Sequence, residues 1–174
     1  KLKLLVDAGL RRVEVGIQSA AGSTNELYRR KYFSADKLVQ CAGLIRKHLP
    51  EDVVPAYDVI LENPYEETPA VLQTLRAVLR MPRPFVLQLF SLTFFPGTEL
   101  YRKALADGII SGGEDSYHKE DHHRGLSWLN MLFLMVNQGV PRPIIAALAW
   151  KPLVMLMESR PFRRLFSLAN GPYW

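Results

Sequence analysis

The stretch RRVEVGIQS, residues 11–19, decides how this chain is folded. Val13, Val15 and Ile17 alternate with Glu14, Gly16 and Gln18, the period of two of a strand whose faces meet different surroundings. The residues that follow, SAAGSTNELYRR, read as a loop opening a helix, which sets the strand inside an alternating strand and helix fold. Gln18 then ends the strand on the face shared with Glu14 and Gly16, and what an amide meets there is the functional question.

Outward from this strand the alternation continues. Residues 1–8 read as the end of a helix stopped at Gly9. Ser34 caps a helix whose Leu38, Ala42 and Ile45 recur at helical spacing, and Pro50 ends it. A second strand, VVPAYDVIL at 53–61, runs into ENPYEETP, and a helix over 68–81 carries the stripe Val71, Leu72, Leu75, Val78 and Leu79. A third strand, FVLQLFSLT at 85–93, leads through a Pro-Gly turn into a further helix. Strand, helix, strand, helix implies parallel strands with helical crossovers, in an open doubly wound sheet or part of a barrel, with ligands outside the carboxyl ends of the strands. Three strands cannot close a barrel. The expected class is α/β: a partial (β/α) barrel of about three parallel strands, its other strands upstream of Lys1, followed by a helical extension. The start, KLKLLVDAGL, has no Met and reads as mid-helix, so a piece of a longer protein is expected.

The totals narrow the classes. A chain of 174 residues, 48% hydrophobic and 22% charged, is long enough to bury a core and is composed like a globular protein. The net charge of +5 falls in scattered clusters without interleaved aromatics or a reading motif, so solvated surface rather than nucleic-acid binding is expected. No secretory signal is visible, which favours a cytoplasmic setting. The single Cys41 excludes an intramolecular disulfide or a multi-cysteine metal site built from this chain alone; on an amphipathic helix it is expected to be buried.

Past residue 107 the character changes, dividing the chain into 1–107, a polar linker at 108–125 and a helical extension at 126–174. The linker contains DSYHKEDHH, where His118 and His122 stand four apart with Asp115, Glu120, Asp121 and His123 nearby; a metal site and a solvated loop both fit. LSWLNMLFLMV at 126–136 and IIAALAWKPLVMLM at 144–157 are each shorter than the roughly 20 residues that span a bilayer, and read as packed or interfacial helices. The tail RPFRRLFSLANGPYW mixes basic and aromatic residues, compatible with peripheral membrane contact or with docking onto the rest of a parent protein.

Two strand residues carry chemistry. If the Val13, Val15, Ile17 face packs on helices, Gln18 points to the opposite side, where Gly16 leaves room for a ligand and an amide can both donate and accept. Asp58 repeats the situation on the second strand, between the apolar Tyr57 and Val59; a carboxylate there needs a partner, either a ligand or a neighbouring strand.

GIQS at 16–19, Arg30 twelve residues after Gln18, DVILENPYEET from Asp58 and SLTFFPGTELY from Ser91 resemble, in order and spacing, the second half of the radical S-adenosylmethionine core domain, over about residues 1–107. The similarity is strongest to the cobalamin-associated branch. It implies that Gln18 meets the ribose of S-adenosylmethionine, that Arg30 pairs with the cofactor's carboxylate, that Asp58 accepts from ribose hydroxyls and that Ile60 packs on the adenine. A surface arginine is the alternative for Arg30. The family often has Gly where Glu62 stands, and its acidic residue sits directly before the Thr, whereas Glu66 and Glu67 both precede Thr68. The family's three-cysteine motif for a 4Fe–4S cluster is not in this chain, so the cluster's ligands, and any cobalamin, would lie outside it and the chain alone should be inactive. The resemblance implies two partners: the amino-terminal half of the parent, and a small-molecule or peptide substrate. From the residues alone, a non-catalytic α/β module holding a nucleotide-like ligand stays open.

Overall fold

The computed structural model describes residues 1–30, 33–112 and 127–169. Three parallel strands, β1 (Glu14–Gln18), β2 (Ala56–Leu61) and β3 (Val86–Ser91), form one sheet in that spatial order. Helices α2 (Gly22–Leu27) and α3 (Ala35–His48) connect β1 to β2, and α4 (Thr68–Arg80) connects β2 to β3. Helix α1 (Leu2–Asp7) precedes the sheet and α5 (Glu99–Ala106) follows it. After these come α6 (Trp128–Asn137), α7 (Arg142–Leu148), α8 (Lys151–Met157) and α9 (Arg160–Ala169). The chain is therefore α/β with an open three-stranded parallel sheet, as the alternation of periods predicts. The strands begin later than expected; at β2 the ladder starts after Pro55, which has no N–H to contribute.

Local chemistry sets the ends. Gly9, at φ +102°, and Leu10 return their N–H groups to the carbonyls of Val6 and Leu5, closing α1 in a Schellman turn. Ser34 Oγ accepts from the Lys37 N–H and caps α3. At the other end of α3, Arg46 donates to the carbonyls of Leu49, Pro50 and Val53. The expected stripes on α3 and α4 are buried at Leu38, Ala42, Ile45, Leu72, Leu75 and Val78. Cys41, expected to be buried, is exposed. At 100° per residue it stands about 60° from Leu38 and about 100° from Ala42, on the flank of the stripe. The segment 144–157, read as one helical unit, is two helices: α7 ends at Leu148, and Pro152 sits in the first turn of α8, where its missing N–H breaks no bond.

The alternation in β2 is strict, with Tyr57, Val59 and Leu61 buried and Ala56, Asp58 and Ile60 half-buried. Ile17, Leu87 and Leu89 extend the buried face, against which α3, α4 and α6 pack. Leu132 and Phe133 of α6, Ile145 of α7 and Val154 of α8 join the same core, so α6 to α8 rest on the α4 side of the sheet. Asn137, at the end of α6, closes the edge of β3: its side chain donates to the Leu87 carbonyl and accepts the Leu87 N–H, both at 2.8 Å. The opposite face of the sheet is open, with Val86 49% and Phe90 36% exposed. Among the described residues, no helix is long and apolar enough to cross a membrane.

Candidate functional site

One row with two polar side chains crosses the open face, with Glu14 two residues before it on β1. Register pairs Gly16 with Asp58 and Asp58 with Gln88. Asp58 takes its place because β2 alternates, its neighbours Tyr57 and Val59 facing the core. Its Oδ1 is buried and accepts no hydrogen bond among the described residues. Burial first, and the nearby Glu14 charge second, push its carboxyl above the ordinary aspartate range. The alternative of an aspartate tying neighbouring strands together is thus not realised. An acceptor left unmatched in a folded chain is costly and marks the place where a donor would be welcome.

Gln18 lies beside this row. The β1–β2 register slips between Gly16 and Gln18, and Gln18 adopts φ +63°, the left-handed region. Its amide folds back over Gly16, where an added Cβ would stand 2.6 Å from Nε2. The expectation that Gly16 leaves room for a ligand is therefore corrected: that space is taken by Gln18 itself. Glycine is needed at 16 so that the Gln18 amide can lie against the sheet next to the Gly16–Asp58 pair.

Arg30 reaches the end of the same strand. Arg29 turns the chain at φ +57° after α2, and the Arg30 N–H donates to the Asn25 carbonyl at 2.7 Å. The Arg30 guanidinium lies 4.6 Å from the centre of the Phe33 ring. Nη1 donates to the Ile17 carbonyl at 2.7 Å and Nη2 to the Gly16 carbonyl at 2.9 Å. Arg30 is neither a bare surface cation nor a free arm. Among the described residues, two of the five N–H groups of the guanidinium donate to carbonyls, both at the end of β1, and three have no acceptor.

Ile60 is the third residue on the open face, two positions beyond Asp58, and its register partner on β3 is Phe90. Together they make an apolar step at the carboxyl end of the sheet, next to the Asp58 row. Gln88 and Phe90 were not singled out from the sequence, although the period of two in β3 does assign both to this face. Gln18, Asp58 and Ile60 thus share one surface, with Arg30 clamped to the strand that carries Gln18.

Beneath the site a polar network joins the loops that follow β1 and β2. Glu66 Oε1 accepts from Ser19 Oγ at 2.6 Å and Thr24 Oγ1 at 2.7 Å. Burial pushes the Glu66 carboxyl upward and the two hydroxyls partly offset it. Thr74 Oγ1 shares a hydrogen bond with Ser19 Oγ and accepts the Ala20 N–H, and Asn63 Nδ2 donates to the Tyr28 hydroxyl. Burial pushes the Tyr28 phenol far above its ordinary value. Of the two acidic residues before Thr68, Glu66 is the one locked into the loop, while Glu67 is exposed at the start of α4.

Glu62, where the resembled pattern often has Gly, adopts φ +55°. For a side chain this conformation costs roughly 1–2 kcal/mol. The Glu62 carboxylate offsets that strain by accepting from Ser91 Oγ at 2.7 Å and Asn130 Nδ2 at 2.9 Å, linking β2, β3 and α6. Glycine would suit the backbone here, but it would lose the link.

No group of three His, Cys, Asp or Glu among the described residues is placed to hold a metal. DSYHKEDHH lies outside the described residues. Cys41, exposed on α3, cannot supply the thiolates of a 4Fe–4S cluster. No protein-family model matches the chain, and no curated protein matches it.

Proposed function

We propose that this chain forms the carboxyl-terminal half of a radical S-adenosylmethionine barrel and contributes one wall of the cofactor pocket. The observation that carries this reading is the buried Oδ1 of Asp58, without a hydrogen-bond partner among the described residues, on the open face of a parallel sheet beside the Gln18 amide. Parallel sheets are ordinarily covered on both faces, so the exposed Val86 and Phe90 fit strands supplied by an amino-terminal half of the parent. Asp58 would accept from the ribose hydroxyls and Gln18 would donate or accept beside it. Ile60 and Phe90 offer an apolar seat for the adenine, and Arg30, held by two carbonyls, keeps three N–H groups for the cofactor's carboxylate. Bound at a 4Fe–4S cluster held by cysteines outside this chain, the cofactor would supply a 5′-deoxyadenosyl radical for hydrogen abstraction from a small-molecule or peptide substrate. The cobalamin of the most similar branch would also bind outside this chain.

The residues of the open face also fit a second reading, an α/β module that holds a nucleotide-like ligand without redox chemistry. Anaerobic reconstitution with iron and sulfide separates the two. The radical reading expects a cluster spectrum and 5′-deoxyadenosine from the full parent protein and neither from this chain alone. A full reading frame with no three-cysteine motif and no cluster after reconstitution refutes it.

A further inference from the structure

The carboxyl-terminal helices leave apolar side chains in water beside a one-sided charge. From residue 140 onward the sequence carries five cations, Arg142, Lys151, Arg160, Arg163 and Arg164, against one carboxylate, Glu158. That carboxylate is turned inward. Its side chain is 13% exposed, Oε1 accepts the Leu129 N–H at 3.0 Å at the start of α6, and Oε2 lies 3.8 Å from Arg163 Nε. Arg142 is half-buried and donates to the Met81 carbonyl, so the exposed cations of this surface are Lys151, Arg160, Arg163 and Arg164.

Beside these cations the fold leaves Trp150 65%, Met155 58% and Leu165 64% exposed, with Leu156 and Phe162 also outside the core. The two helices divide their faces. Val154 is the buried anchor of α8, and Met155 and Leu156 next to it point away from the core. On α9, at 100° per residue, Phe162 and Leu165 lie about 60° apart, and the three arginines occupy an arc of about 100° on the opposite side. A helix packed in a globular fold turns such an apolar stripe to the core, whereas this one leans on α8 with the stripe exposed.

We propose that α8 and α9, with Trp150 just ahead of α8, form an in-plane anchor for an anionic lipid surface. A short helix with an apolar stripe opposite clustered arginines has the composition of an interfacial helix. Tryptophan is the side chain that prefers the headgroup boundary, one end apolar and the other wet. The lone carboxylate, already committed to the α6 N–H and close to Arg163, removes the charge that would oppose anionic headgroups. The cations supply attraction and the exposed Trp150, Met155, Leu156, Phe162 and Leu165 supply burial, the two components such binding sums. The proposal does not depend on the chemistry assigned to the open face of the sheet.

The test is flotation of the whole chain with vesicles of phosphatidylcholine alone or mixed with phosphatidylglycerol, with light scattering in parallel. Partition into the mixed vesicles, weakened by salt and near background on phosphatidylcholine alone, is expected. Lys151→Gln and Arg160→Gln should each lower partition about fivefold, and about twenty-five-fold together. Trp150→Ala with Leu165→Ala should lower it by about tenfold while circular dichroism stays unchanged, since both side chains are exposed. Equal partition into both vesicles, no partition, or partition indifferent to these substitutions overturns the proposal. So does a mass in solution twice that of the chain which returns to one chain on Trp150→Ala, the result that assigns this face to a second copy.

Discussion

Replacing Asp58 by alanine should stabilise the free chain. The carboxyl is half-buried in a strand, Oδ1 has no hydrogen-bond partner among the described residues, and the side chain ties no neighbouring strand. An unmatched buried acceptor costs roughly 1–3 kcal/mol, which the substitution removes. Against that gain stand the few contacts of the lost carboxyl and the weak preference of alanine for strands, together a few tenths of a kcal/mol up to about one. The net expectation is a gain of about 1 kcal/mol near neutral pH, or about 2–4 °C in melting temperature for a domain of this size. The pH dependence gives a second handle. Because burial and Glu14 hold the folded carboxyl above its ordinary value of 3.8, the folded state keeps its proton more tightly than the unfolded state. The Asp58 contribution is therefore most favourable below that value and is lost as pH rises through the folded pKa. The advantage of alanine should be largest at neutral pH and shrink toward acid. Urea unfolding of both chains across this range, with equal slopes, measures it. A loss of 1 kcal/mol or more at neutral pH, or a gain that does not change with pH, refutes the reasoning and makes Asp58 a structural tie.

Three further outcomes follow from other sites. Arg30→Ala removes two charge-assisted hydrogen bonds from the Gly16 and Ile17 carbonyls and should cost roughly 2–4 kcal/mol; Arg30→Lys, a single point charge, should recover about half in thermal melts. Burial holds the Glu66 carboxyl above its ordinary 4.5, so its contribution is full below that value and declines as pH rises through the folded pKa; Glu66→Gln should flatten this decline in denaturant unfolding. Asn137→Ala frees the N–H and carbonyl of Leu87 at the edge of β3 and should cost roughly 1–3 kcal/mol, with light scattering showing greater self-association.

Periodicity made most of the fold legible in the sequence. The alternation around Ile17, Val59 and Leu89 separated the core face from the open face, and the helical spacing of Leu38, Ala42 and Ile45 named the buried side of α3. What escaped are effects that depend on contacts between distant segments. The two carbonyls that hold Arg30 belong to residues 13 and 14 positions earlier in the chain, and only their folded geometry brings them to the guanidinium. The fold of the Gln18 amide over Gly16 depends on a left-handed residue and a register slip that no pattern of apolar spacing encodes. Cys41 is exposed although its helix is amphipathic, because a helical stripe has flanks as well as a centre, and residue type alone does not distinguish them. Glu62 was visible as a departure from glycine, but its bonds to Ser91 and Asn130 cross 29 and 68 residues of chain.

The central claim is that the open face of the sheet completes an S-adenosylmethionine pocket, and its most direct test is titration of that cofactor into the full parent protein with and without Asp58→Ala. If the Asp58 carboxylate accepts from the ribose hydroxyls, its loss removes charge-assisted bonds of about 1.5–3 kcal/mol, and the Kd should rise roughly 10- to 100-fold with the protein no less stable. An unchanged Kd in the Asp58→Ala protein would contradict the account.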